Sequence, residues 1–112
     1  MLFPKKVING KMYNTATAKM VASWCHRGSY NAYYLDSLTR EELYVKRTGE
    51  YFLSCEGGTS TEYSGRQILR PLSEKEAREW VDKKVYPPTK DKREEVTVGD
   101  NWALLKLIMP QQ

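Results

Sequence analysis

Groups that run reactions are scarce in this chain. Its 112 residues include one histidine, His26, and two cysteines, Cys25 and Cys55, with no Cys-x-x-Cys or His-x-x-x-His spacing. No such spacing supplies the remaining ligands of a zinc site built on Cys25, His26 and Cys55. Cys25 beside His26 has the residue types of a thiol nucleophile and its base, yet such a pair also arises by chance where a helix ends. The adjacent carboxylates Glu41 and Glu42, and Glu94 and Glu95, read as a solvated face rather than as a general acid and base. Glu56-Gly57-Gly58-Thr59-Ser60 lacks the lysine and helix start of a phosphate loop, so its glycines read as a turn. The expectation is a non-enzymatic protein with no cofactor and no metal.

Long apolar runs are missing as well. The longest, over residues 102–109, is broken by Lys106 and is far shorter than the ~20 residues that span a bilayer. The start, Met1-Leu2-Phe3-Pro4-Lys5-Lys6, has no apolar stretch of signal-peptide length. These absences predict no membrane partner, a cytoplasmic location, and free thiols at Cys25 and Cys55.

The third absence is acid. Residues 1–35 contain Lys5, Lys6, Lys11, Lys19 and Arg27 and no aspartate or glutamate, within a net charge of +4 for the whole chain. A basic lobe of this kind attracts phosphate backbones or acidic protein surfaces.

What is present suits one globular domain. Apolar residues make up 40% and charged residues 29%, near the averages for folded domains of about this length. Asn9-Gly10, between two short apolar runs, predicts a hairpin over residues 6–13. Asn14 or Thr15 followed by Ala18, Val21, Ala22 and Cys25 at helical spacing predicts a helix over 15–25. Residues 42–47 and 50–55 are rich in strand formers across Thr48-Gly49 and predict a second hairpin, with a short strand over 67–70. Ser73 and Glu76 have the spacing of a capping box, so a helix is expected over 74–84, with Ala77, Trp80, Val81 and Lys84 on one face. The proline-containing, charged residues 86–93 read as a linker, followed by a terminal β-hairpin or extension. The fold class is therefore α+β, with a core over residues 1–84 and a linker and tail over 85–112. Short unpaired strands leave edge pairing into a dimer open.

The surface that remains is aromatic and basic. Trp24, Arg27, Tyr30, Tyr33 and Tyr34 lie close in sequence to the lysines of the first third. Tyrosine and arginine dominate interface hot spots, while the same set could stack on unpaired bases as lysines follow phosphates. The candidate partner-binding residues are Arg27, Tyr30, Tyr33, Tyr34, Lys5, Lys6, Lys11 and Lys19.

Taken in order, Val7-Ile8-Asn9-Gly10-Lys11-Met12-Tyr13-Asn14-Thr15-Ala16-Thr17-Ala18, Glu42-Leu43-Tyr44, Gly49-Glu50-Tyr51-Phe52-Leu53, Glu56-Gly57-Gly58 and the stretch from Pro71-Leu72-Ser73 to Trp80 resemble a family of small proteins encoded by phages, plasmids and integrative elements. The resemblance covers residues 5–84, and the chain departs from it after Lys84. It implies an inhibitor of host defence, of the anti-CRISPR type, acting on a bacterial defence effector complex by protein-protein contact. It carries no active-site residues. The basic first third argues against mimicry of DNA and leaves a nucleic-acid-binding accessory protein as the alternative.

Overall fold

A computed structural model of the protein describes residues 5–27, 38–59, 61–89 and 91–108. Among them the fold is α+β, with seven strands and two helices. The order is β1 (Lys5–Ile8), β2 (Lys11–Asn14), β3 (Lys19–His26), β4 (Thr39–Val45), β5 (Tyr51–Gly57), β6 (Gln67–Leu72), α1 (Glu74–Lys84), β7 (Glu94–Val98) and α2 (Asn101–Ile108). β1 and β2 pair with each other, and the remaining strands form one antiparallel sheet in the order β6-β5-β4-β3-β7. No helix among the described residues is long and apolar enough to cross a membrane.

Local chemistry explains both expected hairpins. Asn9 and Gly10 take φ of 51° and 77°, the left-handed pair that a two-residue hairpin turn requires. At the β4–β5 turn, Gly49 has φ 91° and its N–H donates to the Lys46 carbonyl at 2.9 Å. The capping box of α1 is also formed. Ser73 Oγ accepts from the Glu76 N–H at 3.1 Å, and the Glu76 carboxylate accepts from the Ser73 N–H at 2.9 Å.

Two expected elements are corrected. The segment expected as a helix over 15–25 is instead mostly strand β3, paired with β4 on one side and β7 on the other. The supposed helix cap, Asn14, makes a turn: its side chain accepts from the Ala16 N–H at 2.9 Å and its carbonyl from the Ala18 N–H at 3.2 Å. A register shift between Met20 and Ala22 lets Val21 and Ala22 both be buried, which breaks the alternation that marks a strand and mimics helical spacing. Pairing on both edges outweighs the modest helix preference of the alanines.

The terminal hairpin is likewise half right in place and wrong in kind. Residues 94–98 form strand β7, but the apolar run after Gly99-Asp100 is helix α2, not a returning strand. Asp100 starts it, since its side chain accepts from the Ala103 N–H at 3.1 Å and its carbonyl from the Leu104 N–H at 3.1 Å. Gly99 passes so close to β3 that an added Cβ would lie 2.4 Å from the Met20 carbonyl oxygen. That close approach, not a tight turn, is what the glycine serves.

The two faces of the sheet carry separate cores. Alternation along β4 and β5 sends Leu43, Val45, Leu53 and Cys55 to one face, where Ala77, Trp80 and Val81 of α1 and Ala103, Leu104 and Leu107 of α2 cover them. Phe52 and Leu69 on the other face meet Tyr13 and Ile8 of the β1–β2 ribbon. Residues beyond Lys84 thus supply both an edge strand of the sheet and part of its core.

Candidate functional site

Adjacent residues of a strand point to opposite faces, which decides several candidates at once. Cys25 pairs across β3–β4 with Arg40, while Cys55 pairs across β4–β5 with Glu41. Arg40 and Glu41 are neighbours, so the two thiols lie on opposite faces of the sheet. Both are free. Cys25 and His26 diverge for the same reason and do not form a nucleophile-base pair. Burial pushes both thiols above their ordinary value, which disfavours the reactive thiolate.

The basic residues split into two groups. Lys5 and Lys6 lie on β1, opposite Asn14 and Tyr13, and are exposed. Arg27 follows β3 and bonds to Glu95 beside it. It stands about 26 Å from Lys19 along the strand, at ~3.3 Å per residue. Tyr30, Tyr33 and Tyr34 lie outside the described residues.

Lys11 and Lys19, by contrast, are drawn to the end of the sheet that carries the β4–β5 turn. A groove of about 820 Å³ opens there, floored by Val45, Tyr51 and Ala103 and walled by residues 46–50, the start of α1 and the outer side of α2. Lys19, Lys46, Arg47 and Lys106 line it, against the carboxylates Glu50 and Glu74. Trp102 stands in its wall with 58% of its surface exposed. The ammonium groups of Lys106 and Lys19 lie 4.7 and 5.9 Å from the Trp102 ring centre. Lys19 also reaches Asp100 at 3.8 Å.

One rim of the groove is a clasp that holds the β1–β2 ribbon to the sheet. Glu50 accepts from Lys11 at 2.9 Å, from Thr48 at 2.9 Å and from Lys46 at 3.2 Å. Lys46 lies 4.5 Å from the ring centre of Tyr13, which packs edge-on against Phe52 at 5.5 Å. These donors, Lys11 first, hold the Glu50 carboxyl down at about 2, from an ordinary 4.5. A depressed folded value means the clasp contributes in full above pH 4.5 and is lost as pH falls toward about 2. The protection of the β1 and β2 amides against hydrogen exchange, taken relative to an unstructured peptide at the same pH, should therefore fall across that window. Glu50→Gln should show the lower protection already at neutral pH, with little further change in protection on acidification.

No family model, curated protein or solved structure matches this chain. The groove is thus read from its own chemistry. Two of its cations, Lys46 and Arg47, are an adjacent basic pair directly before Thr48-Gly49, a signal the sequence does carry. Trp102 and Lys106 carry none as long as residues 102–108 are read as a strand. On helix α2 they are four residues apart and share a face.

A second cavity, between α1 and the sheet, has a structural role. Glu41 is 6% exposed and accepts from the Tyr63 hydroxyl at 2.7 Å and the Trp80 indole at 2.8 Å. Burial, with Cys55 and Glu41 at its hydroxyl, pushes the Tyr63 phenol far above its ordinary value. The carboxylate is consumed in tying α1 and the 61–66 loop to the sheet.

Proposed function

We propose that the chain is a non-catalytic binding protein that takes single-stranded nucleic acid in the groove at the β4–β5 end of the sheet. The observation that carries this reading is the exposed Trp102 ring set among Lys19, Arg47 and Lys106. A flat aromatic face accepts any unpaired base, and cations on either side follow the phosphates, the combination that sequence-tolerant single-strand binders use. Lys46 is half-buried and held by Glu50 and Tyr13, so it shapes the wall, whereas Lys19, Arg47 and Lys106 are exposed, with Lys19 only 3.8 Å from Asp100.

Fluorescence anisotropy with a labelled oligonucleotide of ~12 nucleotides tests the reading, since single-strand sites span ~4 to 16. Three phosphate contacts give a slope of log affinity against log salt of about −2. No binding at low salt, or affinity that ignores salt, ends the proposal.

The exposed Trp102, Leu105 and Ile108, which follow one another at three-residue steps on α2, favour a second reading. In it the same wall docks on an acidic protein surface, as an inhibitor of a bacterial defence effector complex would. That partner is the one implied by the resemblance to mobile-element proteins. Affinity capture before and after nuclease treatment separates the two, because a protein contact survives nuclease and a nucleic-acid bridge does not.

A further inference from the structure

At the far end of β3, away from the groove, three ligating groups of different parts of the chain meet. His26 and Glu94 are directly opposite each other in the β3–β7 pairing, so their side chains leave the sheet on one face. Asp91 comes back to the same point through a turn in which the Glu94 N–H donates to the Asp91 carbonyl at 3.0 Å. One nitrogen of His26 and one carboxylate oxygen each of Asp91 and Glu94 lie within 4.8 Å of one another.

We propose that His26, Asp91 and Glu94 bind a divalent first-row transition metal, zinc above all, which clamps β7 and its preceding turn to β3. The spacing supports this. His26 Nε2 and Asp91 Oδ2 are 3.5 Å apart, long for a hydrogen bond. It is near the separation of two donors that share one metal at ~2.0 to 2.2 Å from each. The surroundings also hold the donors in place. Arg93 grips Asp91 from the side, with contacts of 3.2 and 3.0 Å to its two oxygens, and the Arg93 N–H adds a third bond at 2.9 Å. A carboxylate oxygen has lone pairs for both a guanidinium and a metal, and ligating carboxylates are ordinarily hydrogen-bonded in this way. The Trp24 ring stacks on His26 at 6.0 Å and limits its rotation. Trp24 itself is buried, which fixes the ring against which the imidazole packs.

The donor set selects the ion. An imidazole favours zinc and its neighbours over magnesium and calcium, which prefer all-oxygen sites. Three protein ligands leave room for water or an anion, and neither cysteine belongs to the group.

Isothermal titration of the full chain with zinc chloride, and with magnesium chloride beside it, tests the site. The expected result is one zinc per chain and a thermal midpoint that rises with zinc concentration, because only the folded state assembles the ligands. Magnesium should do neither. His26→Ala and Glu94→Gln should each weaken zinc at least ~10-fold. Cys25→Ser should leave it unchanged. Glu94→Gln keeps the size and shape of an edge-strand side chain, so it stays informative if His26→Ala folds poorly. Absence of stoichiometric zinc binding, equal binding by Glu94→Gln, or loss of binding in Cys25→Ser overturns the proposal.

Discussion

Replacing Lys19, Arg47 and Lys106 together by alanine is expected to lower affinity for a single-stranded oligonucleotide about 100-fold near ~0.1 M salt. The magnitude follows from counterion release. Each single-strand phosphate contact contributes ~0.7 to the dependence of log affinity on log salt, so three contacts supply about two decades between ~1 M and ~0.1 M. The variant should also flatten the salt dependence nearly to zero, which a merely unfolded or misfolded protein would not do selectively. All three side chains are exposed, so circular dichroism and the thermal midpoint should change little. Trp102→Ala acts differently. Loss of one stacking platform costs about 1–3 kcal/mol while leaving the salt slope intact, because no charge is removed. Equal effects of the two variants on the slope would mean that Trp102 is not a base platform.

Glu41→Ala should be the most damaging single change to stability among the polar residues described here. It strands the Tyr63 hydroxyl and the Trp80 indole N–H, which lie 2.7 and 2.8 Å from the present carboxylate. A buried donor left unpaired costs about 1–3 kcal/mol. The two together, eased by water reaching the new space, amount to about 3 kcal/mol, or a fall of roughly 15 °C in thermal midpoint for a domain of this size. Glu41→Gln keeps an oxygen acceptor for one donor and turns an amide toward the Tyr63 oxygen, so its loss should be about 1 kcal/mol. Differential scanning calorimetry of the pair checks the point. If alanine and glutamine are equally mild, the carboxylate does not organise the interface between α1 and the sheet.

The parts of the fold that were legible in advance are those whose signals are local. Asn9-Gly10 demands a tight turn, Ser73 and Glu76 complete a cap three residues apart, and the strand-forming residues on either side of Thr48-Gly49 pair across a short loop. In each case the cause and the effect lie within a few residues. The misread segments are those decided by distant partners. β3 has alanines at helical spacing but gains neighbours on both edges, one of them β7, some 70 residues further along the chain. α2 begins at Asp100 because Gly99 must pass against Met20, a contact that no window around residue 99 contains.

The candidate sites divide along the same line. Composition alone established a basic first third, a shortage of catalytic groups and one histidine, since these depend only on which residues are present. Which cations share a surface was settled by the folding of the chain. It carried Lys19 toward Trp102 and Lys106, left Arg27 at the opposite end of β3, and set His26 against Asp91 and Glu94. Strand alternation and antiparallel register impose such groupings, and both depend on pairings formed between remote parts of the chain.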